Sequence, residues 1–232
     1  MSEARAVVRL EHVSRVYGHD GVEVRALDDV SLEIPRGDFA VLVGPSGSGK
    51  TTLLNMVGGL DTPTSGKVWV ADRDIGGLRR SELAELRLRH IGFVFQEFNL
   101  IPVLSALENV EFVMLLLGVP EAERHRRSRA LLVELGLEGL EHRRPSELSG
   151  GQQQRVAVAR AIAAEPIIVL PDEPTANLDS KAGAALMDLM RRLNGEKGIS
   201  FVFSTHDPMV VERARRVIRM RDGRIEADER RS

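Results

Sequence analysis

The stretch that decides the fold is Phe39-Ala40-Val41-Leu42-Val43-Gly44-Pro45-Ser46-Gly47-Ser48-Gly49-Lys50-Thr51. Its opening run is apolar throughout, as in a strand covered on both faces of a parallel sheet. The rest matches G-x-x-x-x-G-K-[ST], and apolar residues at helical spacing come directly after it. Small residues in such a loop let backbone N–H groups turn inward around phosphate oxygens, and the helix dipole points at them. The stretch therefore predicts a nucleoside-triphosphate site, with Lys50 on the β- and γ-phosphates and the Thr51 hydroxyl on Mg²⁺.

A second motif, Ile167-Ile168-Val169-Leu170-Pro171-Asp172-Glu173, is an apolar strand that ends in two carboxylates. An Asp-Glu pair after a strand often does no more than terminate it. In enzymes with a phosphate loop, however, an aspartate at such a strand end holds Mg²⁺, usually through water. We therefore expect Asp172 to hold the metal and Glu173 to orient or polarise an attacking water.

Composition excludes several classes of protein. The 232 residues carry 32 Lys and Arg against 34 Asp and Glu, so no basic footprint indicates a nucleic-acid binder, and no nucleic-acid partner is expected. The absence of cysteine excludes disulfides and thiolate chemistry. No apolar run approaches the roughly 20 residues that span a bilayer, and Met1–Arg5 lack the apolar core of a signal peptide. We expect a cytoplasmic protein. If it works at a membrane, another molecule must hold it there.

Hydrophobic periodicity predicts an α/β sheet with a helical subdomain inserted into it. Strands are expected where short apolar runs are bounded by turn residues, namely Val7–Leu10, Val22–Ala26, Ser31–Ile34, Lys67–Ala71, 167–170, 199–203 and a hairpin around Asp222-Gly223. The stretch 81–164 predicts the helical insertion, with a capping box at Ser105 and a helix ending near Gly136. The core is then about 1–80 and 165–232. The arginines of 124–129 indicate a solvated helix face, with an acidic lipid or a partner as the alternative.

The stretch Leu148-Ser149-Gly150-Gly151-Gln152-Gln153 predicts a second anion-binding helix start. Ser149 is a favourable N-cap, and the glycines expose backbone N–H groups. One phosphate-loop nucleotide has little need of two such termini from one chain. The simplest explanation is that this turn serves the nucleotide of another copy.

With these residues the chain resembles the ATP-binding cassette (ABC) family, whose signature is Leu-Ser-Gly-Gly-Gln. The resemblance covers nearly the whole chain. Tyr17 matches the aromatic residue that stacks on adenine, and Gln96 the glutamine that senses Mg²⁺ and links to the membrane part. Asp179, in Asn177-Leu178-Asp179, matches the dimer-interface loop, and His206 the switch histidine that contacts the γ-phosphate.

This resemblance implies a P-loop NTPase core with a mixed, mainly parallel sheet, an N-terminal antiparallel β-subdomain and an inserted α-helical subdomain. It also implies a head-to-tail dimer that sandwiches two ATP molecules, with a separate transmembrane permease as the further partner. The expected catalytic residues are Glu173, His206, Lys50 and Gln96, and the Mg²⁺ ligands are Thr51, Gln96 and Asp172. The expected ATP contacts are Tyr17, Gly44, Pro45, Ser46, Gly47, Ser48, Gly49, Lys50, Thr51 and Thr52, with Ser149, Gly150, Gly151, Gln152 and Asp179 acting in trans.

A finer resemblance joins the stretches Gln96–Pro102, Leu107–Val110 and Pro174–Asp179 to the macrolide-export and lipoprotein-release subgroup. ATPases of that subgroup drive separate permeases from the inner face of the membrane. Two alternatives stay open at this stage, a soluble ATPase of the iron–sulfur-assembly type and a signalling ATPase of the cell-division type.

Pro171 departs from the family, which usually has a small residue at that position. Proline lacks a backbone donor and is tolerated mainly at strand ends or bulges. Because it immediately precedes Asp172 and Glu173, we expect it to shift their aim and to leave hydrolysis slow but real.

Overall fold

Two β-sheets and seven α-helices make up the part of the chain that the computed structural model describes, residues 6–19 and 22–231. The strands are β1 Ala6–His19, β2 Val22–Pro35, β3 Phe39–Val43, β4 Ser65–Val70, β5 Arg73–Asp74, β6 Ile91–Val94, β7 Ile168–Pro171, β8 Ser200–Ser204, β9 Arg216–Arg221 and β10 Arg224–Arg230. The helices are α1 Lys50–Val57, α2 Arg80–His90, α3 Ala106–Leu116, α4 Glu121–Glu134, α5 Gly150–Ile162, α6 Ser180–Lys197 and α7 Pro208–Arg213. Residues Met1–Arg5, where the sequence shows no signal peptide, lie outside the described range.

The larger sheet has the order β10-β9-β3-β8-β7-β6 and is parallel except for the β9–β10 hairpin. Alternate residues of β3 enter two different hydrophobic clusters. Phe39 and Val41 pack toward the side of α3, α5 and α6, whereas Ala40 and Leu42 pack toward α1 and the smaller sheet. Burial on both faces explains the uninterrupted apolar run, and the phosphate loop starts at the carboxyl end of this central strand.

The smaller sheet, β2-β1-β4-β5, is antiparallel. The strands predicted as three short runs at its start are in fact two strands of 14 residues each. Register shifts absorb the irregular pattern, and His12 and Asp29 adopt positive φ angles of 49° and 55° there. A bulge lets pairing continue where a simple alternation of apolar and polar residues fails.

The stretch 81–164, predicted as a helical insertion, contains a strand of the core. Strand β6 pairs in parallel with β7 at the edge of the larger sheet, so the stretch is not helical throughout: α2 precedes this strand and α3 to α5 follow it. A run of four residues, Ile91–Val94, between two helical segments gives too weak a period for a strand to be recognised. The division into a core of about 1–80 and 165–232 and a helical subdomain remains a proposal.

Local signals placed several helix ends correctly. Ser105 and Glu108 form the predicted capping box of α3. Gly136, with φ 71°, comes after α4, and the hairpin turn has positive φ at both Asp222 and Gly223. Helix α6 begins directly after Asp179, whose side chain caps it by accepting from Ala182 N.

The arginines of α4 face acidic residues of the same chain. Arg126 pairs with Glu123 and Arg127 with Glu165, each at 2.7 Å, and Arg124 lies 3.6 Å from Glu111. Arg126 is 70% exposed, whereas Arg124 and Arg127 are 18% and 28% exposed, so the cluster pairs within the chain and only part of it is a solvated face. Within the described ranges, no helix is long and apolar enough to cross a bilayer.

Pro171 interrupts the pairing of β7 with β8 without displacing Asp172 or Glu173. The pairs Val169–Phe201 and Asp172–Ser204 lie on either side of it in the same register. Asp172 N donates to Val94 O of β6 and Glu173 N to Ser204 O of β8, each at 2.9 Å. By this alternation the missing N–H of Pro171 faces β8. The backbone that carries the two carboxylates therefore keeps its register across the proline, which argues against the expected shift in their aim.

We predict that Pro171→Ala changes the free energy of unfolding by no more than about 1 kcal/mol, the net value of one ladder hydrogen bond. The steady-state hydrolysis rate should stay within about twofold of the unmodified chain, because the carboxylates keep their places. Chemical denaturation and a phosphate-release assay measure the two quantities. A much faster variant would show that the proline does misdirect Asp172 or Glu173.

Candidate active site

The phosphate loop, residues 44–49, joins β3 to α1 and curls around its own lysine. Lys50 Nζ donates to Gly44 O at 2.8 Å and to Pro45 O at 2.9 Å, so the ammonium lies on the concave side of the loop. Gly47 and Gly49 have φ angles of 79° and 98°, which place successive N–H groups on that side. The first turn of α1 points at the same space, so the loop is built to surround an anion.

Two glycines of this loop leave no room for a side chain. A Cβ at Gly44 would collide with Met220 O, and one at Gly49 would lie 2.5 Å from Ala26 O. The loop is therefore packed backbone against backbone on β9 and β2. Gly223 N also donates to Ser48 O at 3.2 Å, which ties the β9–β10 turn to the loop.

One cleft of about 800 Å³ collects most of the predicted site residues. Its walls are the phosphate loop and the start of α1 on one side and strand ends of the larger sheet on the other. It is lined by Gly44, Pro45, Ser46, Gly47, Ser48, Gly49, Lys50, Thr51, Thr52, Gln96, Asp172, Glu173 and His206, together with Val24, Arg25, Ala26 and Ser204. The carboxyl ends of parallel strands meet at one edge of a sheet, which is how distant segments reach one cleft.

Both carboxylate oxygens of Glu173 are held by hydrogen bonds. Oε1 lies 2.7 Å from His206 Nδ1, and Oε2 accepts from Thr205 Oγ1 at 2.9 Å. The imidazole itself is 80% exposed and lines the cleft. Glu173 has a φ of 48°, a left-handed conformation that non-glycine residues rarely adopt. Hydrogen bonds with Thr205 and His206 therefore hold the carboxylate in place, on a backbone that is itself strained.

Asp172 is partly buried beside this glutamate. Burial raises the pKa of its carboxyl, and the charge of Glu173 acts in the same direction. A hydrogen bond from Ser204 and the charge of Lys50 oppose the rise. A carboxylate whose charged form is poorly solvated gains from a nearby cation, which is the property expected of a metal ligand.

Gln96 reaches the cleft from the segment just after β6. Its carbonyl accepts a hydrogen bond from Asn177 Nδ2 at 2.9 Å, so the segment is tied to the loop that leads to α6. The two residues after Glu97, Phe98 and Asn99, both have positive φ angles, 61° and 47°. Gln96 therefore projects from a sharply turned and well-anchored piece of chain.

Tyr17 lies outside the described lining of the phosphate cleft. It pairs with Val24, which does line the cleft, and its ring is 40% exposed. Its hydroxyl donates to Asp61 Oδ2 at 2.6 Å, and the Arg15 guanidinium sits 4.5 Å from the ring centroid. The ring is held in one orientation beside the cleft, with a cation over it.

The signature turn is also outside this cleft as the described residues define it. Ser149 Oγ accepts from Gln152 N at 3.3 Å, and Gln152 Oε1 accepts from Ser149 N at 2.8 Å, so a full capping box starts α5. A Cβ added at Gly150 would lie 3.6 Å from Asn177 O, which places the turn beside the loop that carries Asp179. The geometry brings the two groups expected to act in trans next to each other, and away from the phosphate loop of their own chain.

Sequence reasoning missed several residues that support the site. Ser204 and Thr205 contact the two carboxylates, and the only signal for them was their position beside His206. Gln154 and Arg160 of α5 donate to loop carbonyls, 2.9 Å from Pro174 O and 2.6 Å from Asn99 O respectively. Contacts to backbone carbonyls across the fold have no pattern along the chain, so no sequence motif predicts them.

Residues 27–176 match the family model described as ABC transporter. The chain belongs to the ABC transporter family. It is 48% identical over 227 residues to an uncharacterized ABC transporter ATP-binding protein of Thermotoga maritima, covering 98% of this chain and 97% of that protein. It is 46% identical over 222 residues to the macrolide export ATP-binding/permease protein MacB of Azoarcus sp., covering 96% of this chain. The cassette spans only 34% of that MacB, about a third of its length.

Solved structures agree with this assignment. A dimeric post-hydrolysis state of the ATP-binding cassette MJ0796, bound to ADP and Pi, matches with a TM-score of 0.88 at 44% identity, covering 96% of this chain and 98% of that one. The chain is therefore an ATP-binding and ATP-hydrolysing ABC cassette, with the P-loop NTPase fold that the motifs implied. An antiparallel N-terminal sheet, a mainly parallel core sheet and helices are all present.

We predict that Gly49→Ala abolishes nucleotide binding by the cassette. The added Cβ would meet Ala26 O in a backbone conformation that alanine resists, at a cost of about 2 kcal/mol or more. Equilibrium binding of a fluorescent ATP analogue and thermal unfolding measure the effect.

Gly195→Ala is the matched control. That glycine lies in α6 with open space around its Cβ direction. Alanine there should stabilise the helix by up to about 1 kcal/mol and leave binding intact. Unchanged binding in Gly49→Ala would contradict the close packing of the loop.

Proposed function

We propose that the cassette is the ATP-driven subunit of a membrane transporter of the macrolide-export or lipoprotein-release type. The observation that carries the proposal is the single cleft in which the phosphate loop meets Gln96, Asp172, Glu173 and His206. The likeness to MacB, described as an ATP-binding/permease protein, supports the transporter type. A permease would hold the chain at the cytoplasmic face of the membrane.

Mg²⁺ fits the donors at the proposed metal site. Thr51, Gln96 and Asp172 all line the cleft and supply oxygen ligands, which Mg²⁺ prefers. Among the described residues there is no group of three His, Cys, Asp or Glu that would form a complete protein cage. Mg²⁺ commonly binds through one or two carboxylates together with substrate phosphates, so one aspartate suffices. When bound, the ion would neutralise charge on the β- and γ-phosphates.

The remaining residues of the site have separate roles in hydrolysis. The loop N–H groups and Lys50 hold the phosphates, and Tyr17 stacks on the base from the neighbouring sheet. Glu173 orients a water in line with the γ-phosphate and takes up its proton as attack proceeds. Thr205 and His206 hold the two oxygens of that carboxylate, so little reorganisation is needed. His206 is also exposed enough to meet the γ-phosphate itself.

A second copy completes each site. The start of α5 and the neighbouring Asp179 do not line the phosphate cleft of their own chain, so a head-to-tail partner would bring their N–H groups onto the nucleotide of the other chain. MJ0796, which the cassette resembles over nearly all its length, is dimeric in its post-hydrolysis structure. Binding of ATP would therefore close the dimer, and hydrolysis would reopen it.

We predict that Glu173→Gln lowers ATP turnover at least about a hundredfold, because the amide cannot take up the proton of the attacking water. The phosphate loop is untouched, so the variant should form stable dimers when ATP is added. Phosphate release and light scattering after size exclusion measure the two effects.

Adding Ser149→Arg to Glu173→Gln is the control for the sandwich. The larger cation would block the signature turn, so ATP should still bind but should no longer produce dimers. Normal turnover in Glu173→Gln would overturn the role of the glutamate. Dimers that persist in the double variant would overturn the placement of the signature in trans.

A groove on the cassette suits the permease. It has a volume of about 760 Å³ and runs between α2, β6, α3 and the end of α5. Phe93, Phe95 and Leu116 line it, and Leu116 is 58% exposed. Asn99 and Arg160 form one wall, so the groove adjoins the segment that carries Gln96. We assign the groove to a cytoplasmic segment of the permease, since in MacB the matching cassette belongs to a protein about three times longer that is described as a permease.

We predict that Leu116→Asp prevents capture of the permease from detergent-solubilised membranes by the tagged cassette, because a charge would enter the apolar wall. ATP hydrolysis by the isolated cassette should be unaffected. Val133→Asp is the matched control, since Val133 is 48% exposed on α4 and does not line the groove. Equal capture by both variants would exclude this groove as the docking site.

A further inference from the structure

Helix α5 contacts the segments that carry two of the proposed catalytic side chains, Gln96 and Glu173. Arg160 Nη1 donates to Asn99 O at 2.6 Å and Nη2 to Phe98 O at 2.9 Å, just after Gln96. Gln154 Nε2 donates to Pro174 O at 2.9 Å, just after Glu173. One helix therefore reaches the backbone beside two catalytic groups that lie far apart in the sequence.

The backbone at these contacts is strained. Phe98, Asn99 and Glu173 have φ angles of 61°, 47° and 48°, in the left-handed region that side chains disfavour. Such conformations persist only where surrounding contacts over-determine them, and they concentrate at functional sites. Arg160 donates to the carbonyls of two of the strained residues themselves, and Gln154 donates to the carbonyl of the residue that follows the third.

Both side chains are polar groups in places where packing alone favours apolar ones. Gln154 is fully buried, and its Oε1 makes no hydrogen bond with a described residue. Arg160 lies in the apolar groove wall, where burial lowers the pKa of its guanidinium. A buried polar group costs stability unless it is compensated, so carbonyl contacts of this kind indicate a purpose other than filling space.

We propose that Arg160 and Gln154 are positioning residues for ATP hydrolysis. Arg160 fixes the turn that aims Gln96, and Gln154 fixes the turn that aims Glu173. The proposal rests on the catalytic roles proposed for those two residues. Since Ser149 starts the same helix, a displacement of α5 when a partner's nucleotide binds would reach both turns of the chain's own site.

Arg155 offers a matched comparison on the same helix. It is half-buried like Arg160, and its Nη1 donates to a backbone carbonyl, Leu135 O at 3.3 Å. That carbonyl lies just after α4 and belongs to neither catalytic segment. If the arginines of α5 act only through packing, then replacing either of them should have the same consequence.

The experiment compares Arg160→Gln with Arg155→Gln in the full chain, by steady-state hydrolysis and by equilibrium ATP binding. We expect Arg160→Gln to lower kcat by about tenfold to a hundredfold, as small displacements of catalytic groups do. The Kd for ATP should stay within about threefold, because Arg160 is remote from the phosphate loop. Arg155→Gln should keep kcat within about twofold.

A rescue variant separates positioning from general damage. Glycine adopts a positive φ freely, so Asn99→Gly relieves strain that Arg160 otherwise holds. We expect Asn99→Gly to restore kcat several-fold in the Arg160→Gln background and not to raise it in the unmodified chain. If Arg160→Gln fails to fold, Arg160→Lys serves instead, since it keeps the charge but lacks the fork for two carbonyls.

Gln154→Met tests the second contact. Methionine fills a similar volume without the amide, so melting temperature should hold or rise while kcat falls. The proposal is overturned if Arg160 and Arg155 variants lose kcat equally, if Asn99→Gly gives no rescue, or if Gln154→Met keeps full kcat. Normal turnover in Glu173→Gln would instead refute the proposed catalytic roles, whatever the α5 variants show.

Discussion

The contact of backbone with backbone at Gly44 and Gly49 is the constraint on which the rest of the site depends. Because neither position has room for a side chain, the phosphate loop lies directly on Met220 of β9 and Ala26 of β2. The loop thereby joins the central strand of one sheet to an outer strand of the other. The position of the phosphate loop relative to the carboxyl ends of β7 and β8 depends on that placement.

The phosphate side of the site was predictable because its motifs are local. A strand, a glycine-rich turn and a helix succeed each other along the chain, and each step has its own pattern. The same holds for the capping boxes at Ser105 and Ser149, which depend on residues three positions apart. Strand β6 was missed because four residues at a sheet edge carry no distinguishable period, and its partner β7 lies more than seventy residues further along the chain. Long β1 and β2 were missed because bulges interrupt their alternation.

Support for the catalytic groups comes from contacts that no motif encodes. Glu173, Phe98 and Asn99 are all left-handed, and none is a glycine. Glycine would adopt this backbone freely, whereas these side chains disfavour it, so the strain must be met by donors elsewhere. Those donors, on α5 and on Thr205, are distant in sequence and bind carbonyl or carboxylate oxygens, for which many residue types would serve. Which residues act as these donors therefore depends on their position in the fold and not on a sequence pattern.

In the proposed dimer, the ATP contacts come from two surfaces of the cassette, the phosphate cleft and the signature turn, and the signature turn does not line the cleft of its own chain. The phosphate loop lies at the carboxyl edge of the core sheet, whereas Ser149 begins α5 beside the loop that leads to α6. A single chain can bind ATP but lacks the second anion-binding terminus for it. The side chains of α5 would link these two surfaces, since the helix whose start is proposed to meet the partner's nucleotide also donates to the backbone beside the chain's own Gln96 and Glu173. Each site in a dimer is then built partly by the state of the other.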